Sequence, residues 1–318
     1  MATNDMIIFN DQTQTVATET VAQALAAFNE ASGGALLLGS RSTLGDYVEE
    51  ASYKAISGLV TRRDAYGTGD LTPKQIEQLN DISVKVDQSI GPVEWTVEQF
   101  ARLMKSPEEA GLIIGEQAAE AMIQDYLNTT AGSLVGAIGN QTALVNDYSA
   151  TGTAKLVELN STRGKFGDRQ MALVAWLMHS KVFTDLTNEA ITNTSQLYNI
   201  GNIRVMQDGL GARYVVTDAP ALVVAGSPDK YNSIALVAGG AMVETSALLT
   251  MTQPQAGKEN MGTIWKGESS FVIGLKGYSW DTANGGKSPT DAELATGTNW
   301  DLIASSTKDT AGVMLISQ

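Results

Sequence analysis

Apolar residues recur at Ala119, Ile123, Leu127, Ala131, Leu134 and Ile138, in steps of four, four, four, three and four. That is the spacing of one face of an α-helix. Its ends are marked too: Ser106 can cap a first turn opened by Pro107, Glu109 completes a capping box, and Gly139 with Asn140 offers a left-handed stop. The pattern predicts a helix over Ser106–Asn140, about 45 to 50 Å long at its standard rise. Glu116, Glu120, Gln124, Asp125 and Asn128 fill much of the remaining surface, so the apolar stripe is narrow. Such a rod needs something extended to lie against.

On the N-terminal side, residues 1–18 are polar apart from a short plug at Met6, Ile7, Ile8 and Phe9, and they read as an extended arm. A short helix is predicted over Thr20–Ala31 on Val21, Leu25 and Phe28, ended by Ser32, Gly33 and Gly34. Two strand-like stretches follow, Tyr53–Arg62 and Ile82–Ile90, the second alternating Ile82, Val84 and Val86 with Ser83 and Lys85. The connector between them carries Gly67, Gly69 and Pro73, so the pair forms a hairpin. A two-stranded ribbon is marginal alone in water, and this one needs cover from elsewhere in the chain or from another chain. Gly91–Lys105 leads into the rod with Trp95, Phe100 and Leu103 as apolar anchors.

Beyond the rod, Gln141–Gly167 is a mixed linker, Gln170–His179 is an apolar run of strand length, and Ser180 can cap a helix on Val182, Phe183, Leu186 and Ile191. Further strands are predicted over 212–217, 221–225, 233–236, 241–243, 248–252 and 268–275. The fold class expected is α+β, with a sheet-based lobe in this half.

Composition narrows the function. A chain of 318 residues with 43% hydrophobic and 18% charged residues belongs to the globular class and can bury a sizeable core. It contains no apolar run of membrane-spanning length, and the N-terminus lacks the pattern of an export signal. There is no cysteine and one histidine, His179, which removes thiolate chemistry and multi-histidine metal sites. A net charge of −14 disfavours a surface that grips phosphate.

Candidate chemistry gives way to plainer readings at each place. Gly209 and Gly211 in DGLGAR lack the third glycine of a dinucleotide fingerprint, and no phosphate loop is present. Glu49 with Glu50 and Glu108 with Glu109 suit solvated or helix-capping positions. His179 sits between an apolar strand and a helix start, where a histidine commonly satisfies backbone groups. Trp95, Trp176, Trp265, Trp280 and Trp300 are scattered and suit cores or contacts. No catalytic, cofactor-binding or metal-binding residue is assigned, no cofactor is expected, and the chain is read as not an enzyme.

Four strings carry a resemblance: LVAWLMHSKVFTDL at Leu173–Leu186, YVVTDAP at Tyr214–Pro220, KGYSWD at Lys276–Asp281 and SPTDAELATGTNWDLI at Ser288–Ile303. In this order, after an arm, a long hairpin and a long helix, they resemble the Hong Kong 97-type major capsid protein of tailed bacteriophages. The resemblance implies an arm at 1–40, an extended loop at 41–91, a peripheral domain with the spine helix at 92–140, an axial domain at 141–274 and a return to the peripheral domain at 275–318. Gly312–Ile316 would then be a final strand alongside the rod.

The implied function is a structural shell protein that assembles with copies of itself, as pentamers and hexamers, into an icosahedral capsid around double-stranded DNA. The hairpin would reach over an adjacent subunit, and the acidic balance would let DNA slide without being held. Further implied partners are a separate scaffolding protein, since no scaffolding region precedes the arm, a portal and cement proteins. A membrane is not implied, and the chain would reside in the virion after assembly in the host cytoplasm. Some relatives cross-link a loop lysine to an asparagine; Lys54, Lys74 and Lys85 lie near the hairpin, but no acceptor is identified. The runner-up is an encapsulin-like compartment of the same fold, and the third reading is an acidic surface-layer protein.

Overall fold

The structure, a computed structural model, describes the chain apart from residues 1–2, 42–44, 54–55, 57–58, 71, 104–105, 190–193, 201–202, 209–211 and 258. In chain order it runs α1 (Thr3–Ala31), β1 (Leu36–Ser40), β2 (Tyr47–Tyr53), β3 (Gln78–Thr96), α2 (Val97–Leu103) and α3 (Pro107–Gly139). There follow β4 (Val145–Asp147), α4 (Leu156–Gly164), β5 (Leu173–Met178), α5 (Ser180–Glu189), β6 (Thr194–Ile200), β7 (Ile203–Asp208) and β8 (Arg213–Val216). The remainder is β9 (Val223–Val224), β10 (Lys230–Val237), β11 (Ala241–Thr245), β12 (Leu249–Gln255), β13 (Gly262–Leu275), β14 (Tyr278–Trp280), α6 (Asp291–Leu294), β15 (Trp300–Leu302) and β16 (Gly312–Ser317).

The rod forms as its pattern predicts. The Ser106 hydroxyl accepts the Glu109 N–H at 3.2 Å, Pro107 opens the first turn, and all six residues of the apolar stripe are buried. Two details differ. Asn140 is right-handed (φ −70°, ψ −12°), because the chain continues into a 3-10 turn at Thr142–Leu144 and has no reversal to make. The buried arc is also wide: from Thr129 to Ile138 only Val135 is partly exposed. Glycines make this possible, since Gly111 and Gly115 face α1 and Gly132 and Gly136 face the segment around Ala221 and Ala295.

The N-terminus departs most from expectation. The extended arm and short helix are one 29-residue helix, α1, laid along α3. Its contact face is Phe9, Thr13, Ala17, Val21 and Phe28, all buried. Thr13 interrupts the apolar pattern, yet its hydroxyl donates to the Phe9 carbonyl at 2.8 Å and so enters the core without an unmet bond.

The hairpin also differs. Its first strand is β2, not Tyr53–Arg62, and the described residues between 59 and 70 have no regular structure beyond a turn at Ala65–Tyr66. Its second strand, β3, runs from Gln78 to Thr96, well beyond Ile82–Ile90. The reason is pairing: β3 lies antiparallel to β13 from Ile273↔Val84 to Gly262↔Thr96, so most of β3 is covered within the chain, while the part paired with β2 meets β13 only at Val84. Only the stretch at 78–83 has β2 as its sole strand partner.

Among the described residues the strands form two eight-stranded sheets. In the first, β13 is central, with β11 and β12 on one side, β3 on the other and β14 at its end; β1, β2 and β15 extend it. The second has the order β4-β16-β10-β5-β8-β7-β6, with β9 on β10. Sheet membership cuts across the border expected at residue 274. Strands β11 to β13 join the hairpin strand, while the last strand, β16, pairs antiparallel to β10. A β16 contact with the rod remains, at Met314 beside Gly139.

Candidate assembly surfaces

A fold with a packed interior can act through groups it leaves outside, and the hairpin tip is where these concentrate. Leu59, Val60, Tyr66 and Ile76 are 70%, 95%, 94% and 71% exposed, and Tyr53 at the end of β2 is exposed as well. Single exposed apolar side chains are ordinary, but several on one projecting segment indicate a contact surface. The tip has local order: the Asp64 carboxylate accepts the Tyr66 N–H at 2.9 Å. Smaller apolar groups stand out on the outer side of the first sheet, at Leu249 and Met251, and beside α4, at Val157 and Met171. A cavity of about 580 Å³ between α4 and the starts of β5 and β8 includes Val157, Arg163, Trp176 and Arg213 in its wall.

The residues singled out for chemistry take structural places. His179 Nδ1 accepts the Lys181 N–H at 3.1 Å and its Nε2 lies 3.4 Å from Asp218 Oδ1, while Asp218 also accepts the Ser180 N–H at 3.3 Å. The capping role expected of Ser180 thus falls to His179 and Asp218. Lys85 pairs with Asp87 at 3.1 Å, Lys74 is on the exposed tip, and Lys54, Gly209 and Gly211 fall outside the described residues. Trp176, Trp265, Trp280 and Trp300 are buried; Trp280 and Trp300 meet edge to face at 5.0 Å and donate to the Gly286 and Leu294 carbonyls. Trp95 meets Phe9 edge to face at 5.4 Å and Phe100 at a tilt, 6.2 Å away.

Several carboxyl groups have shifted proton affinity. Asp81, on the free part of β3, is pushed up to about 6, first by burial and then by Glu50. Asp125 on the rod is raised by burial and by Asp291, against a 2.8 Å hydrogen bond from Gln88. Asp281 is held low by the backbone N–H groups of Ala283 and Asn284. Tyr126, buried and 2.8 Å from the Thr245 hydroxyl, is pushed up to about 12 by burial. Among the described residues no group of three or more His, Cys, Asp or Glu could hold a metal ion, and no helix is long and apolar enough to cross a membrane. Sequence reasoning missed Asp81, since only strand register brings it opposite Glu50.

Comparison with known proteins supplies the context for these surfaces. The model of a family described as "Gp13-like: Major capsid protein 13-like" matches residues 5–314. No curated protein matches the chain. Solved structures do: "Mycobacterium phage Cain" at a TM-score of 0.55 and 10% identity, covering 91% of this chain and 89% of that one. "Mycobacterium phage Bobi" is similar at 0.50 and 11% identity, covering 94% and 90%. At such identities the likeness is one of fold, and the α+β architecture is the Hong Kong 97-like one.

Proposed function

The chain belongs to the Gp13-like family of major capsid proteins, and from that premise we propose that its copies close into an icosahedral shell of pentamers and hexamers around the double-stranded DNA of a tailed phage. The structural capsid role, self-assembly and a place in the virion come with the family. The finer reading is ours: the chain performs no catalysis, assembles in the host cytoplasm, and works with a separate scaffolding protein, a portal and cement proteins. An axial domain built on the second sheet and a peripheral domain built on the rod and the first sheet would be its two working parts.

The observation that carries the reading is the exposed apolar tip. Leu59, Val60, Tyr66 and Ile76 face solvent in a single chain, and burying them against a neighbouring copy would gain about 25 cal/mol per Å² of apolar area removed from water. Closed symmetric assemblies repeat one such contact at every subunit. The acidic excess, 35 Asp and Glu against 21 Lys and Arg, favours a container that does not bind its contents.

Electron microscopy of the purified protein tests this directly, with closed icosahedral particles expected. Replacing residues 59–76 by Gly-Gly, which removes all four exposed apolar side chains, should leave a folded chain, by circular dichroism, that assembles poorly. Intact particles from that variant would refute the role given to the tip.

A further inference from the structure

β3 parts from β13 at a definite rung. Its last partner on β13 is Ile273, opposite Val84. From Ser83 to Gln78 its ladder partner is β2, with one additional bond from the Ile82 N–H to the Ser279 hydroxyl at 3.0 Å. Asp81 stands three residues past that rung, directly opposite Glu50. Opposed residues of an antiparallel pair project to the same face, and like charges in that position repel.

Among the described residues Asp81 has no ion-pair partner of its own. It is partly buried and its Oδ1 has no hydrogen-bond partner among the described residues. On β2, Glu50 is held from the other side by Arg41, whose Nη1 is 3.2 Å from Glu50 Oε1 and 3.3 Å from Glu244 Oε2; Glu49, its neighbour, projects to the opposite face. β14 presents Ser279, which stands opposite Asp301 of β15. The nearby cations are engaged: Lys85 with Asp87 at 3.1 Å and Lys287 with Asp46 at 2.9 Å.

We propose that Glu50 and Asp81 form a proton-operated hinge at the base of the hairpin. A proton taken from solvent resides on Asp81 and is donated in a hydrogen bond to the Glu50 carboxylate, which keeps Oε1 on Arg41 and accepts through Oε2. In that state the free part of the ribbon is held to the sheet. When the proton returns to solvent, the two carboxylates repel at the one place where β3 has no β13 beside it, and the ribbon loosens. The raised proton affinity of Asp81 has the matching sign: protection is present at low pH and is lost as pH rises through about 6.

The hinge depends on the chain alone, so it is tested apart from shell formation. Hydrogen exchange of the unassembled full-length protein is followed by mass spectrometry between about pH 5 and pH 8 and corrected for the intrinsic chemical rate. In the wild type, amides at 47–53 and 78–83 should gain roughly tenfold protection toward low pH, one pKa unit of linkage, while those at 84–90 stay constant. In Asp81→Asn the pH dependence should disappear, and in Glu50→Gln, which leaves the burial of Asp81 in place, it should shrink, while both remain folded. A wild type without the effect, or an Asp81→Asn protein that keeps it, would overturn the hinge.

Discussion

Gly132 and Gly136 lie one turn apart on the buried face of α3, and alanine at the two positions should shift stability in opposite directions. An ideal Cβ on Gly132 would sit 3.5 Å from Ala221 Cβ and 3.8 Å from Ala295 Cβ, ordinary contact distances. On Gly136 it would overlap the Ala295 carbonyl group, 2.7 Å from its carbon and closer still to its oxygen. The obstacle is backbone, and it is held: the Asn140 side chain donates to the Gly297 carbonyl at 3.2 Å, and a Cβ on Gly297 would itself lie 2.5 Å from the Gly136 oxygen. Both substitutions gain the helix preference of alanine over glycine, about 1 kcal/mol. Gly132→Ala should keep that gain. Gly136→Ala should set it against overpacking of about 1 to 3 kcal/mol, leaving it up to about 2 kcal/mol less stable than wild type. Because the propensity term is common to both, the difference between the variants, about 1 to 3 kcal/mol, isolates the contact. Urea unfolding of the unassembled chain, with equal slopes required, reads it as a shift in midpoint. Equal stability of the two variants, or a Gly136→Ala protein more stable than wild type, would refute the close approach of α3 to the Ala295 segment.

Leu127→Asp would bury an unpaired carboxylate at mid-stripe, and soluble folded protein should be lost; normal particles from it would contradict the burial of the rod. His179→Gln should leave particle yield nearly unchanged, since the ring's partners are the Lys181 N–H and Asp218, and a complete loss of function would point to chemistry at this residue. Arg213→Met should loosen the end of α1, because its guanidinium donates to the Glu30 and Ala31 carbonyls at 3.0 and 3.1 Å. The expected cost is about 1 to 2 kcal/mol, and an unchanged unfolding midpoint would show that these bonds are replaced by water.

Regular, local signals were the legible ones. The rod, its Ser106 cap and its buried residues follow from spacing along a few turns, as does the apolar strand at Leu173–Met178. Of the tryptophans expected in cores or contacts, Trp176, Trp265, Trp280 and Trp300 are buried and Trp95 is partly exposed, since large apolar groups have few alternatives to burial. The strand expected over Tyr53–Arg62 would hold Leu59 and Val60, which instead lie exposed in a described stretch without regular structure. No local rule distinguishes Leu59 and Val60 in an exposed loop from the same residues in a buried strand.

The sequence by itself determined where the long helix begins, which of its sides is apolar, and a fold class of mixed helix and sheet, because these depend on contacts among near neighbours in the chain. Tertiary structure alone decided that a polar-looking N-terminus becomes a continuous helix docked on Gly111 and Gly115, that β3 extends along β13, and that β16 enters the second sheet between β4 and β10. Between Phe9 and Val21 the docked face is Thr13 and Ala17 against Gly111 and Gly115, residues too polar or too small to signal burial, and strand pairing joins segments far apart in sequence. The same non-local register sets Asp81 against Glu50, so the charge pair at the hairpin base exists only once the sheet has formed.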